Sequence, residues 1–241
     1  MAFKHPRIFL PELPADGEII ITGDKYFHLG RSVRARVGDT FQLFNGEGLF
    51  ADAVIESIDS EKIIARIIES RVVNNTPKVR LTLAFGLLPP DPLKELLAGA
   101  TQLGVVSFIP FFSEFNDLKF SVDKAEKIVE RWHRIIIENS AVASRSHLPE
   151  ISQPVDFEKL ISISESSETK LVFWEEGGRP WREILPLDSG NVIAVIGPKG
   201  GLSESEIVRF RSCGFQVVSF GDLILKAEIA ALTACARIIG G

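Results

Sequence analysis

The sequence predicts an α/β protein in which two differently patterned regions follow one another. Up to about residue 72, short β-rich runs alternate with turns, whereas after residue 80 apolar strand candidates alternate with helical stretches. The second pattern is typical of a mostly parallel sheet covered by helices. The stretch "VVNNTPKVR", residues 72–80, separates the two patterns with polar residues and a proline. We therefore predict one domain over residues 1–74 and a second over residues 75–241.

Length and composition limit the classes of protein that the chain can represent. Its 241 residues are 45% hydrophobic, which is enough for one large core or two small ones. The formal net charge of −5 argues against a protein that coats nucleic acid non-specifically, but it allows a local basic site. Nothing approaches the ~20 apolar residues of a membrane span, the first residues lack a signal-peptide core, and Cys213 and Cys235 form no metal-ligand pair. We expect a cytoplasmic protein with free thiols, without a metal and without a membrane partner.

The first region predicts a small β-barrel. Its strand candidates are "EIIIT", "TFQLF", "FADAVIESI" and "KIIARIIESRVV", with turns such as "NGEG" between them. One helical insert, "DKYFHLGRSVRARVG", interrupts the strands, and we expect Asp24 to cap it and Gly38 to follow its end.

Basic residues collect in or beside this insert, with only Asp24 and Asp39 close by to offset them. They are His28, Arg31, Arg34 and Arg36. A local basic patch on an acidic chain favours contact with RNA, and the alternative is an ordinary solvated helix face.

The second region contains five strand candidates and several amphipathic helices. The strand candidates are "VRLTLAFGLL", "VVSFIPFF", "KLVFW", "NVIAVI" and "FQVVSF". Apolar residues at helical spacing over residues 125–136 place Trp132 in the core. In the last helix the predicted buried stripe is Leu225, Ile229, Leu232, Ala236 and Ile239.

Two glycine turns close to the end of the chain follow buried strands. "IGPKGG", residues 196–201, lies between "NVIAVI" and a helix start at which Ser203 and Glu206 have capping-box spacing. A strand, a glycine turn and a capped helix can bind a ligand through backbone N–H groups. The turn matches neither the P-loop nor the dinucleotide pattern, so the residues alone leave a connecting turn and a ligand loop equally open. The second turn is Gly221 in "FGDLILKAEIAAL".

Together the two segments resemble the paired C-terminal motifs of the SPOUT methyltransferases. Within that superfamily the chain is most similar to the 16S ribosomal RNA uridine-N3 methyltransferases, the ribosomal RNA small-subunit methyltransferase E family. The similarity extends through "HLGRSVRARVGDTFQLFNGEG", "GATQLGVVSFIPFFSE" and "RWHRIIIENSAVASRSHLPEI". It implies a PUA-like β-barrel followed by a SPOUT-type parallel sheet with a C-terminal trefoil knot, a rare exception to unknotted topology. It also implies S-adenosylmethionine as methyl donor, a homodimer, and 16S ribosomal RNA, within the small ribosomal subunit, as substrate.

The resemblance also implies site residues. The predicted cofactor-binding residues are Trp174, Glu175, Ile196, Gly197, Pro198, Gly200, Gly201, Phe220, Gly221, Ile224 and Leu225. The predicted RNA-binding residues are His28, Arg31, Arg34, Arg36 and Arg145.

Methyl transfer to a ring nitrogen requires positioning of the uridine and removal of its N3 proton. We assign the catalytic role to Glu228 and Lys226, where Lys226 stabilises the developing uridine anion. The alternative for Glu228 is a carboxylate that only complements the helix dipole.

Several polar positions depart from the family pattern. Lys199 stands where family members commonly have Glu, and Leu223 and Lys226 stand where they commonly have Arg. Val142 stands where Gln is usual, and Gly99 stands where Lys is usual. Lysine keeps the charge of arginine but loses its bidentate fork. These departures leave open a divergent relative that binds RNA, and the cofactor, with another target or without efficient catalysis.

Overall fold

The computed structural model describes residues 6–116, 125–185 and 187–240, with the backbone alone at residues 31–33 and 125. The chain divides into two compact units, one of Met1–Asn75 with Ser140–Leu148 and the other of Thr76–Asn139 with Pro149–Gly241. Hydrogen bonds explain why the second segment belongs to the first unit. The side chain of Asn75 donates to the Ser144 carbonyl, and the backbone N–H of Ser146 donates to the Asn75 side chain.

The first unit contains a five-stranded sheet in the order β1-β3-β4-β5-β2. Its strands are β1 Arg7–Phe9, β2 Glu18–Thr22, β3 Thr40–Phe44, β4 Leu49–Ile58 and β5 Lys62–Val72. β2 alternates exposed and buried residues along its length, which places Ile19 and Ile21 in the core of this unit. The four strands that were predicted for this region are confirmed to within one residue at each end.

The helical insert consists of two short segments rather than one helix. α1 Gly23–Phe27 is followed by a π-helical segment, His28–Val33, and the chain leaves it at Arg34, whose φ is 55°. The expectation that Asp24 caps the insert is wrong. Thr22 holds the N-cap position without a side-chain cap bond, and Asp24 lies inside the first turn.

The second unit is built on a parallel seven-stranded sheet in the order β10-β12-β9-β11-β6-β7-β8. Its strands are β6 Val79–Gly86, β7 Ser107–Phe111, β8 Glu150–Ile151, β9 Thr169–Phe173, β10 Arg179–Pro180, β11 Gly190–Ile196 and β12 Gln216–Ser219. All five predicted strands are present. Hydrophobic periodicity did not predict β8 and β10, because a strand of two residues is too short to show an alternating pattern.

Five helices and a short 3₁₀ turn complete the described chain. They are α2 Pro90–Leu103, α3 Ala125–Ala143, α4 Phe157–Ser164, the 3₁₀ turn Trp181–Glu183, α5 Glu204–Ser212 and α6 Ala227–Ile239. Trp132 of α3 is buried in the main core, as predicted. No described helix has the length and apolar character needed to cross a membrane.

The predicted buried stripe of α6 is wrong. The buried residues are Glu228, Ala231, Ala234, Cys235 and Ile238, whereas Ile229 is 45% exposed. Two members of the predicted stripe, Leu232 and Ile239, are partly buried against the core, and a Cβ placed on Gly99 of α2 would lie 2.5 Å from Leu232 Cδ2. A helix that is apolar almost all round does not reveal its buried face by period. The trefoil knot stays a prediction.

Candidate active site

The carboxyl ends of four parallel strands meet at one edge of the sheet in the second unit. Register pairs Ile196 at the end of β11 with Phe85 of β6 and with Phe173 of β9, and it pairs Phe173 with Val218 of β12. The loops that leave these strands surround a cavity of about 500 Å³. A ligand site at this edge is typical of open parallel sheets. The lining residues are Leu88, Pro89, Pro92, Phe173, Trp174, Glu175, Ile196, Gly197, Pro198, Lys199, Gly201, Phe220, Gly221, Leu223, Ile224, Leu225, Lys226, Ala227, Glu228 and Ala230.

The turn after β11 needs glycine for steric reasons. A Cβ on Gly197 would lie 3.0 Å from the backbone carbon of Gly201, and a Cβ on Gly201 would lie 2.5 Å from Glu175 Oε1. Gly201 also has a φ of 78° and donates its N–H to the Pro198 carbonyl at 2.9 Å. The turn is therefore tight, and a side chain at either glycine would crowd it.

The helix that follows this turn begins with the predicted capping box. Ser203 and Glu206 satisfy each other's backbone N–H groups at the start of α5. Glu206, only 7% exposed, also accepts hydrogen bonds from Ser113 Oγ and from the Glu114 N–H, each at 3.0 Å. The carboxylate thus fastens the loop after β7 to the turn that lines the cavity. Sequence reasoning missed this contact because it joins residues 93 positions apart.

The turn after β12 forms the opposite wall. Phe220 stacks on Phe173 with ring centroids 4.7 Å apart and an interplanar angle of 14°. Gly221, with a φ of 114°, donates its N–H to Ser219 Oγ at 3.1 Å. Beyond Asp222, Leu223 and Ile224 are 82% and 83% exposed.

The first turn of α6 brings the two predicted catalytic side chains to the cavity. Lys226 is the exposed N-cap residue, and Glu228 is 8% exposed. Both line the cavity. Among the residues that the structure describes, the Glu228 carboxylate has neither a hydrogen bond nor an ion pair. A carboxylate that lines a cavity and has no partner among the described residues is a candidate for contact with a ligand.

The cavity gathers all but one of the predicted cofactor-binding residues. The exception is Gly200, which is exposed and packs near Phe115. Sequence reasoning missed Leu88, Pro89 and Pro92. Their position directly after β6, a strand that ends at the same edge, is the signal that identifies them.

The predicted RNA-binding residues lie in the first unit in two different settings. His28, Arg34 and Arg36 are exposed around the helical insert, whereas the side chain of Arg31 lies outside the described residues. Arg145 is only 7% exposed, and burial lowers the pKa of its guanidinium to about 10. Arg145 therefore does not share the exposed setting of the other three, and RNA contact at Arg145 stays a prediction.

No cluster of three or more His, Cys, Asp or Glu side chains within residues 6–116, 125–185 and 187–240 has a geometry that holds a metal ion. The two thiols differ in their surroundings. Burial raises the pKa of the Cys235 thiol to about 12, while Cys213 is partly exposed at the end of α5.

Comparison with known families and structures agrees with both units. The family model for an RNA methyltransferase domain matches residues 74–239, and the model for the PUA domain of RNA methyltransferases matches residues 21–68. The crystal structure of a ribosomal RNA small subunit methyltransferase E from Neisseria gonorrhoeae, bound to S-adenosyl methionine, superimposes with a TM-score of 0.88. It is 26% identical and covers 96% of each chain.

Two curated relatives carry the same name. The ribosomal RNA small subunit methyltransferase E of Bacillus subtilis is 27% identical over 90% of this chain and 88% of its own length. That of Mesomycoplasma hyopneumoniae is 31% identical over 72% of this chain and 76% of its own length. With the methyltransferase domain matched over most of the second unit and these relatives matched across both units, the chain belongs to the ribosomal RNA small subunit methyltransferase E family.

Proposed function

We propose that the chain transfers a methyl group from S-adenosylmethionine to N3 of a specific uridine in small-subunit ribosomal RNA. The observation that carries the proposal is the cavity at the carboxyl edge of the sheet. Its walls include two glycine turns and Glu228, whose carboxylate has no hydrogen bond or ion pair among the described residues. A glycine turn supplies backbone donors to a bound molecule, and the glutamate supplies a proton acceptor.

The residues present fit an adenosyl cofactor. A volume of about 500 Å³ lies within the range of small-molecule sites, and the lining is mostly apolar. The stacked rings of Phe173 and Phe220 offer an aromatic wall, and Gly197 and Gly201 allow close approach of a ligand to the backbone. Bound there, S-adenosylmethionine supplies an activated methyl group.

The protein's own part of the chemistry is to position the base and to manage its N3 proton. We assign proton removal to the Glu228 carboxylate, because it reaches the cavity without another partner. Lys226, at the N-cap of the same helix, stabilises the negative charge that remains on the uridine ring. Positioning can contribute ~7–11 kcal/mol to such a reaction.

The RNA and a second subunit complete the proposal. The exposed basic residues of the first unit, His28, Arg34 and Arg36, provide the RNA contact together with Arg31 and Arg145. Leu223 and Ile224, almost fully exposed at the rim of the cavity, favour coverage by a second copy of the chain in a homodimer. A protein that methylates RNA in small ribosomal subunits is expected in the cytoplasm, and we include this location in the proposal.

A second candidate is a divergent member with another target or without efficient catalysis. The observation that favours it is that three of the departures from the family pattern, Lys199, Leu223 and Lys226, line the cavity. Changes at the wall of a site alter chemistry more directly than changes elsewhere.

A methyl-transfer assay distinguishes the two candidate functions. Purified protein is incubated with labelled S-adenosylmethionine and small ribosomal subunits that lack the uridine mark, and the modified nucleoside is identified by mass. Label in N3-methyluridine supports the first candidate. Cofactor binding without label contradicts it, and a gain of activity on restoring arginine at positions 223 and 226 then favours the divergent member.

A further inference from the structure

Two arginines stack on one tryptophan in the second unit, away from the residues that line the cavity. The guanidinium carbons of Arg182 and Arg237 lie 4.6 and 4.5 Å from the ring centroid of Trp181. Arg182 belongs to the 3₁₀ turn after β10, and Arg237 belongs to the last turn of α6. We call these three residues the arginine–tryptophan cluster.

Packing and a backbone hydrogen bond hold the cluster in place. The Trp181 ring packs against the main core of the second unit, so it is anchored although partly exposed. The Leu185 N–H donates to the Trp181 carbonyl at 2.9 Å and closes the turn that carries it. Arg237 stands on a helix of thirteen residues. Both guanidinium groups are thus held by stacking on a fixed ring.

Neither guanidinium has a carboxylate partner among the residues that the structure describes. The neighbouring Arg179 does, because its Nε lies 3.4 Å from Glu183 Oε2. Arg209 likewise pairs with Glu158 at 3.0 Å. Two like charges at one ring, without a carboxylate partner among the described residues, form a local positive site on a chain with a net charge of −5.

A role in stability accounts for Arg237 but not for Arg182. Arg237 lies in the last turn of α6, where a cation complements the helix dipole. Arg182 has no such helix to complement. Stacking uses the face of a guanidinium and leaves its N–H edge available, and that edge matches the oxygens of a phosphate.

We propose that the arginine–tryptophan cluster binds the phosphate backbone of the RNA substrate. The second unit then contacts RNA through a surface of its own, in addition to the basic residues of the first unit. The inference rests on the RNA substrate of the proposed function, but not on methyl transfer or on the identity of the target base.

The test compares Arg182→Gln, Arg237→Gln and the double variant with the unchanged chain in binding to small ribosomal subunits that lack the mark. Affinity is measured over a series of salt concentrations, without cofactor turnover. Each lost phosphate contact lowers the slope of log affinity against log salt by roughly 0.7–0.9. We expect the double variant to lose about two such contacts and to bind at least about tenfold more weakly at low salt.

The matched control is Arg209→Gln, which removes an exposed arginine that already has a carboxylate partner. It should leave the salt slope nearly unchanged. Arg182→Lys with Arg237→Lys keeps both charges but removes the planar fork, and it should retain most of the slope while it weakens binding.

An unchanged slope in the double variant, with cofactor binding intact, would overturn the proposal. So would a shift in sedimentation that shows the cluster to be a contact between copies of the chain. Because binding is measured by itself, a protein that methylates no uridine but loses the salt slope in the double variant still supports the cluster. Failure of the proposed function is therefore distinguishable from failure of this inference.

Discussion

Glu206 and Glu228 occupy matching places in the fold and have opposite surroundings. Each lies in the first turn of a helix that follows a glycine turn, and they are 7% and 8% exposed. Glu206 accepts hydrogen bonds from Ser203, Ser113 and Glu114. Glu228 has no partner among the described residues and lines the cavity. Burial of a carboxylate is costly unless it is hydrogen-bonded, and the bonds to Glu206 meet this need, so Glu206 belongs to the structure. The Glu228 carboxylate has no such bond among the described residues and lines the cavity, where a ligand can contact it.

The largest effect should follow from Glu228→Gln. The amide keeps the shape of the side chain but removes the proton acceptor, so the rate of methyl transfer should fall by ~10²–10⁴-fold. The free energy of unfolding should change little, because the carboxylate has no hydrogen bond or ion pair among the described residues. Single-turnover transfer and urea denaturation measure the two quantities. Full activity in this variant would mean that Glu228 is not the proton acceptor and only complements the helix dipole.

Glu206→Ala should show the reverse pattern. The substitution removes half of a capping box and leaves buried donors from two loops without an acceptor. We expect the free energy of unfolding to fall by ~2–4 kcal/mol. Glu204→Ala is the matched control, because Glu204 lies in the same first turn but is exposed. A loss no greater than that of the control would contradict the structural role of Glu206.

Gly201→Ala should weaken cofactor binding more modestly. An alanine at a φ of 78° is strained, and its Cβ would also meet Glu175 Oε1. We expect ~1–2 kcal/mol of strain in the turn and a corresponding loss of affinity for S-adenosylmethionine, measured by calorimetry.

Gly214→Ala is the control for Gly201→Ala, because it introduces similar backbone strain at a residue that does not line the cavity. Gly214 has a similar φ of 85°, but a Cβ there meets nothing within 4 Å. This variant should lose stability and keep its cofactor affinity. Equal affinities in the two alanine variants would mean that the turn at Gly201 does not shape the site.

Local rules predicted much of this arrangement. The apolar runs predicted the strands at both sides of the cavity, and Ser-x-x-Glu spacing predicted the Ser203–Glu206 capping box. Chain order along parallel strands then placed both glycine turns at one edge of the sheet. These features depend on neighbours in sequence, which is why a single sequence contains them.

The features that sequence reasoning missed depend on distant contacts. The Ser113 hydroxyl on Glu206 and the burial of Arg145 follow from loops that meet only after folding. The buried face of α6 contains Ala231, Ala234 and Cys235, whereas Ile229 and Ala236 are exposed, so tertiary packing overrode the predicted apolar period. The contrast between Glu206 and Glu228 is of this kind, because both are first-turn glutamates in the sequence.

The smallest expected effect concerns Glu114, an exposed neighbour of the Glu206 network. Hydrogen bonds from the hydroxyls of Ser203 and Ser205 hold the pKa of Glu114 below its usual range. A lowered pKa in the folded state means that the interaction stabilises the protein above the ordinary carboxyl pKa. That contribution is lost as pH falls through the folded-state pKa.

Ser205→Ala should therefore raise the pKa of Glu114 toward its usual value in an NMR titration of the carboxyl carbon. The difference in stability between this variant and the unchanged chain should shrink as the pH is lowered, because protonation ends the interaction in both. Ser212→Ala is the control, since that hydroxyl donates to the Arg209 carbonyl. If the stability difference does not change with pH, Ser205 stabilises the backbone of α5 and not the charge of Glu114. Glu206 would then be the one carboxylate near the start of α5 whose charge these hydrogen bonds stabilise. The comparison with Glu228 would concern Glu206 alone.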